Sequence, residues 1–128
     1  YAADAIRAAE QIAAEVASWQ HDPAHPGKPA LAVGTAVSNG RVIFGAVGYE
    51  NRLEYTVIGE AVNLCAKLEK HTKTVKATAL CSADAHRTAV SQGYRPESEP
   101  DAIQGSMVEG LPEPVDIVAL AKGPENPA

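Results

Sequence analysis

An amide, an ammonium group and a hydroxyl fall within one short stretch, Glu54-Tyr-Thr-Val-Ile-Gly-Glu-Ala-Val-Asn-Leu-Cys-Ala-Lys-Leu-Glu69. Asn63 and Lys67 are four residues apart, so on a helix they sit one above the other on a single polar face. Thr56 closes the strand-like run just before that helix. A polar pair aimed from a helix, beside a threonine at a strand end, could hold an anion and a base together. Arg52, just upstream, is a further cation, and a structural ion pair is one reading of it.

The elements that would carry these groups follow from periodicity. Leu53, Tyr55 and Val57 alternate with Glu54 and Thr56, a strand pattern that breaks at Gly59. Beyond it Ala61, Leu64, Cys65 and Leu68 recur at three- and four-residue spacing, the apolar face of a helix. Glu60 in its first turn and Lys67 and Lys70 towards its end suit the helix dipole.

With this register the stretch resembles the signature of class III nucleotide cyclases, roughly Tyr-Thr-x-x-Gly-x-x-Val-Asn-x-Ala-x-Arg-Leu-Glu. Tyr55, Thr56, Gly59, Val62, Asn63, Leu68 and Glu69 match in place. The resemblance runs from about Gly34 to Leu120 and covers the C-terminal half of the family's domain. It implies cyclisation of ATP to 3′,5′-cyclic AMP and pyrophosphate, with the ribose 3′-hydroxyl attacking the α-phosphate in line. The protein would orient the ribose and stabilise charge on the phosphate oxygens. By resemblance Thr56 reads the purine, Asn63 orients the ribose, Lys67 stands where the family has arginine, and Arg52 reaches the triphosphate.

The resemblance also implies Mg²⁺ or Mn²⁺ held by two aspartates from a preceding half-domain, with no metal ligands in these residues. It implies a second cyclase domain as partner, paired head to tail as a homodimer, each site sharing residues of both. The 128 residues alone are then expected to be inactive, with residues 1–122 the C-terminal part of the domain and 123–128 a flexible tail.

Two departures carry an alternative. Lys67 supplies a point charge and cannot fork two bonds onto phosphate oxygens as arginine does. Glu109 lies where some relatives place a phosphate-binding lysine. A degenerate domain that binds nucleotide or a partner without turnover is the competing reading, and a plain ferredoxin-like interaction module is the third.

Composition limits the other classes. A net charge of −5 leaves no basic stripe for a nucleic-acid backbone. Apolar residues make up 45% but aromatics only 5%, so the core must be aliphatic. No apolar run approaches the roughly 20 residues of a membrane span, so a membrane would be reached only through parts outside this chain. The expected location is the cytoplasm or the cytoplasmic face of a membrane. Cys65 and Cys81 fit reduced packing residues.

Along the chain, Ile6, Ala9, Ile12/Ala13, Val16 and Trp19 mark an amphipathic helix. His21 and His25 fall in a proline-rich loop as exposed residues, with Pro23 between them excluding a helical metal pair. Leu31–Val37 and Arg41–Val47 flank Ser38-Asn39-Gly40, a hairpin signal. Ala77–Cys81 reads as a strand, Ser82 as an N-cap, and Ile103–Val108 with Val115–Leu120 as a closing strand pair. His71 and His86 read as surface residues. The sum is an α+β fold with helices packed on one face, and the resemblance implies that its sheet is the ferredoxin-like cyclase sheet. The family's N-terminal strands are expected to be missing, leaving an open sheet edge.

Overall fold

A computed structural model describes residues 1–19 and 33–122, so the expectations for His21, His25 and the 123–128 tail lie outside the described residues. The elements are α1 (Ala2–Trp19), β1 (Thr35–Val37), β2 (Ile43–Tyr49), β3 (Arg52–Ile58), α2 (Glu60–Val75), β4 (Ala77–Ser82), α3 (Ala83–Ser91), β5 (Asp101–Ser106) and β6 (Val115–Lys122). Four strands form one sheet in the order β1-β4-β6-β5, while β2 and β3 form a separate two-stranded sheet. β1 runs parallel to β4, and the other neighbours are antiparallel. The mixed α+β class expected from the sequence is the one observed.

The packing of the helices corrects the one-face expectation. Leu80 and Ile117 join Leu68 of α2 in one apolar cluster, with Ala36 and Leu64 at its margin. Their chain neighbours Cys81 and Val118 join Ala3 and Ile6 of α1 and Ala85 and Ala89 of α3 in another, beside Val37. Successive strand residues point to opposite faces, so these adjacent apolar pairs demand cover on both sides. Helices α1 and α3 supply it on one face and α2 on the other.

The Asn39-Gly40 hairpin is also corrected. β1 and β2 lie in different sheets, and the hairpin is β2–β3, turning at Glu50 and Asn51. Asn39 donates its side-chain amide to Thr88 Oγ1 of α3 at 2.9 Å, and Ser38 donates its hydroxyl to the Ala61 carbonyl. These long-range partners, with the parallel pairing of Thr35–Val37 to Ala79–Cys81, outweigh the local turn preference.

Several local expectations hold. Ser82 caps α3, its hydroxyl accepting from Ala85 N–H at 3.1 Å. β5 and β6 pair as the closing strands, with a register shift between Ile103 and Ser106. The α1 stripe passes through Ile6, Ala9 and Val16, but Ile12 and Trp19 are exposed. Both cysteines are free, and Cys81 is fully buried. No helix among the described residues is long and apolar enough to cross a membrane.

Candidate functional site

The handover from β3 to α2 fixes the site. Helix α2 starts without a side-chain cap; the Gly59 carbonyl accepts from Val62 N–H at 3.1 Å and Asn63 N–H at 3.2 Å. A Cβ on Gly59 would stand 2.8 Å from the Arg41 carbonyl oxygen and 3.2 Å from Val42 Cα. Only glycine lets β3 turn into α2 this close to the entry of β2. The helix is then seated by Leu68, fully buried, and by Cys65, whose thiol donates to the Ala36 carbonyl at 3.2 Å.

That seating determines where the polar stripe faces. Asn63, Lys67 and His71 follow one another at four-residue spacing. Asn63 is exposed, Lys67 half-buried and His71 buried. The stripe therefore runs from open solvent inward along α2. Its inner end is met by the last residue of β5: His71 Nε2 lies 3.0 Å from Ser106 Oγ. Lys67 lies across Gly110, with Cδ 3.0 Å and Cε and Nζ each 2.8 Å from where a Cβ there would stand.

His71 is thus a correction: expected at the surface, it is 6% exposed. It falls three residues after Leu68 and seven after Leu64, on the edge of the apolar face, and that spacing was the available signal. The expectation for His86 as a surface residue meets a half-buried ring, edge-on to Tyr94 with centroids 5.7 Å apart.

Thr56 is the least exposed residue of β3. It pairs across the hairpin with Gly45, where an added Cβ would meet nothing within 4 Å. The space over the Thr56 side of the arm is therefore open. Arg52 shares that strand face by alternation but sits at the opposite end of β3, paired with Tyr49 beside the turn. The six-residue rise from Arg52 to Ile58 is about 20 Å. The structure brings Asn63 and Lys67 together, sets Thr56 near the foot of their helix, and holds Arg52 at the far tip of the arm.

Glu109 is exposed in the turn Val108–Leu111, closed by Leu111 N–H to the Val108 carbonyl at 3.1 Å. Gly110 is the third residue of that turn with φ 92°, the position and sign of a type II turn. Among the described residues no three of His, Cys, Asp and Glu come together to hold a metal ion. The donor set for a divalent cation is therefore not assembled by the described residues.

Two groups with shifted pKa values lie on the other face of the sheet. Burial pushes the Cys81 thiol up to about 12, with the Glu10 carboxylate adding to it. Tyr94 is likewise pushed up to about 12, by burial first and then by its bond to Glu10 and that group's charge.

The β2–β3 arm leaves large apolar side chains on both faces in solvent. Leu53 and Tyr55 are 77% and 76% exposed, and Ile43 and Phe44 73% and 68%. Phe44 and Tyr55 stack with ring centroids 5.9 Å apart, which stiffens the arm across the strands.

No family model matches the chain. It is 43% identical over 47 residues, 37% of its length and 9% of the relative's, to the adenylate cyclase of Anabaena cylindrica. It is 32% identical over 105 residues, 78% of its length and 17% of the relative's, to an uncharacterized protein of Mycobacterium tuberculosis. The chain thus spans from 9% to 17% of these curated relatives. Among solved structures, a bacterial light-regulated adenylyl cyclase superposes with a TM-score of 0.51 at 21% identity, over 70% of this chain and 25% of that one.

Proposed function

From the class III nucleotide cyclase fold that this chain carries, we propose that it is the C-terminal part of an adenylate cyclase catalytic domain. It acts within a longer protein that converts ATP to cyclic AMP and pyrophosphate. The observation that carries the reading is the placement of Asn63 and Lys67 one turn apart on α2, directly beyond the strand that bears Thr56. Thr56 would bond the amino edge of adenine, its hydroxyl donating or accepting as the base requires. The Asn63 amide would fix the ribose so that O3′ lies in line with the α-phosphorus. The Lys67 ammonium would offset the charge that gathers on the phosphate oxygens as the bond to pyrophosphate breaks. Mg²⁺ or Mn²⁺, when bound through the preceding half-domain, supplies further charge neutralisation.

The partner in this reading is a second copy, paired head to tail, so that the residues here complete a site whose other groups come from across the interface. The exposed apolar arm supports it, since two faces of Leu, Tyr, Phe and Ile side chains are costly to leave in water. The isolated 128 residues are inactive in this reading, and the full-length protein works in or at the cytoplasm.

A cyclic AMP assay on the full-length protein with ATP and Mn²⁺ tests it. Product that disappears with Asn63→Ala supports the cyclase; absence of product at high protein concentration overturns it. The substitution of the family's arginine by Lys67, with acidic Glu109 in the turn beside it, favours one second reading, a domain that binds nucleotide without turnover. That reading requires Lys67→Arg to restore cyclisation to an inactive parent.

A further inference from the structure

We propose that Gly110 is a positioning residue: its bare backbone is the seat on which Lys67 lies, and the seat aims the ammonium. The proposal rests on the cyclase reading for what the ammonium does, but the seat itself is a feature of the packing. The turn Val108–Leu111 requires a positive φ at its third residue, and Gly110 has φ 92°. The same absence of a side chain leaves a flat strip of backbone facing α2. The end of Lys67 fills that strip, its Cδ, Cε and Nζ all within 3.0 Å of the site a Cβ would take.

A free lysine end samples many rotamers, and ordering it costs conformational entropy. An arginine in that place would aim itself through its planar fork, which a lysine lacks. Held against Gly110, the four-carbon stem has few directions left, and the point charge is fixed before any ligand arrives. The strand end that leads into the turn is held to the same helix one turn further on, where His71 meets Ser106.

Any side chain at 110 would take the place of the lysine end rather than break the core, because the nearest atoms are the tip of a flexible side chain. Gly110→Ala also strains the turn. Gly110→Asn removes most of that objection, since asparagine tolerates positive φ yet still fills the strip.

The test is a double-mutant cycle in the full-length protein with Gly110→Ala, Gly110→Asn and Lys67→Ala, read by turnover and by acylation of Lys67. Both Gly110 variants are expected to lower kcat roughly ten- to hundredfold, with a smaller change in KM. They are expected to add little once Lys67 is alanine. Equal losses in both backgrounds, or an unchanged kcat in the Gly110 variants, would overturn the seat. If no form of the protein turns over, the cyclase reading fails separately, and acylation decides alone. Faster labelling of Lys67 in both Gly110 variants than in the native protein supports the seat, and an unchanged rate sinks it.

Discussion

His71 Nε2 and Ser106 Oγ, 3.0 Å apart, join the inner end of α2 to the end of β5. The imidazole is 6% exposed and the Ser106 hydroxyl half-buried, so the histidine has little solvent to fall back on. Through it the helix that bears Asn63 and Lys67 is tied to the strand that leads into the Gly110 turn. His71→Ala should cost about 2–4 kcal/mol, from a lost bond plus a cavity. Ser106→Ala should cost about 1 kcal/mol. Urea denaturation of the two variants and their double checks this, and additive losses would mean that the pair does not interact.

Asn63→Ala should separate function from folding. The side chain is exposed, so stability should change by no more than about 0.5 kcal/mol. Turnover should fall about 10²- to 10³-fold if the amide meets the reacting ribose. Paired measurements of cyclic AMP formation and of the urea midpoint decide it.

The C-terminus of α2 carries a correctable strain. Lys76 caps it in the left-handed region at φ 56°, its N–H bonded to the Thr72 carbonyl. That conformation costs a side-chain-bearing residue about 1–2 kcal/mol, and glycine is the usual occupant. Lys76→Gly should raise stability by about 1 kcal/mol, seen as a higher urea midpoint at unchanged slope.

Alkaline pH should weaken the α1 face of the sheet. Cys81 is raised from 9.0 to about 12 and Tyr94 from 10.0 to about 12 in the folded protein. With both folded values above the unfolded ones, the unfolded chain loses these protons first as pH rises. The stabilisation is therefore complete below about 9 and is lost between there and about 12. Glu10→Gln should lower the Tyr94 titration, followed by tyrosinate absorbance. An unchanged midpoint would mean that Glu10 does not act on it.

Charge placed on the arm should uncouple the proposed dimer. Tyr55→Glu breaks the stack with Phe44 and puts a carboxylate on a face that is otherwise apolar. Sedimentation should show a shift to monomer in the full-length protein, with activity that becomes more concentration-dependent. A native protein that is monomeric throughout would remove the basis for this expectation.

The β3–α2 stretch was legible because its signals are local: a period of two that switches to a period near four at one glycine. Ser82 was legible for the same reason, since a cap bonds within three residues. Asn39-Gly40 misled because a turn preference says nothing of distant partners. β1 is claimed by β4, over forty residues along the chain, and Asn39 by Thr88. The two-sided core was written in the adjacent apolar pairs Leu80-Cys81 and Ile117-Val118, which a one-face sheet would not need. His71 was hidden by its polarity, although its spacing from Leu68 placed it inward. Gly110 lies between two strand-like runs, and only the fold shows that a lysine lies across it.

The position of Arg52 at the tip of the arm, about 20 Å along β3 from the foot of α2, bears on inheritance of activity between subunits. In the proposed head-to-tail dimer, a nucleotide held at Lys67 of one subunit would then meet Arg52 of the other. Co-expressed Arg52→Ala and Lys67→Ala subunits should then rescue one another, since a mixed pair retains one undamaged catalytic centre and one doubly crippled one. Had both residues served the same pocket from the same subunit, every centre in the mixture would carry a lesion and no rescue could occur.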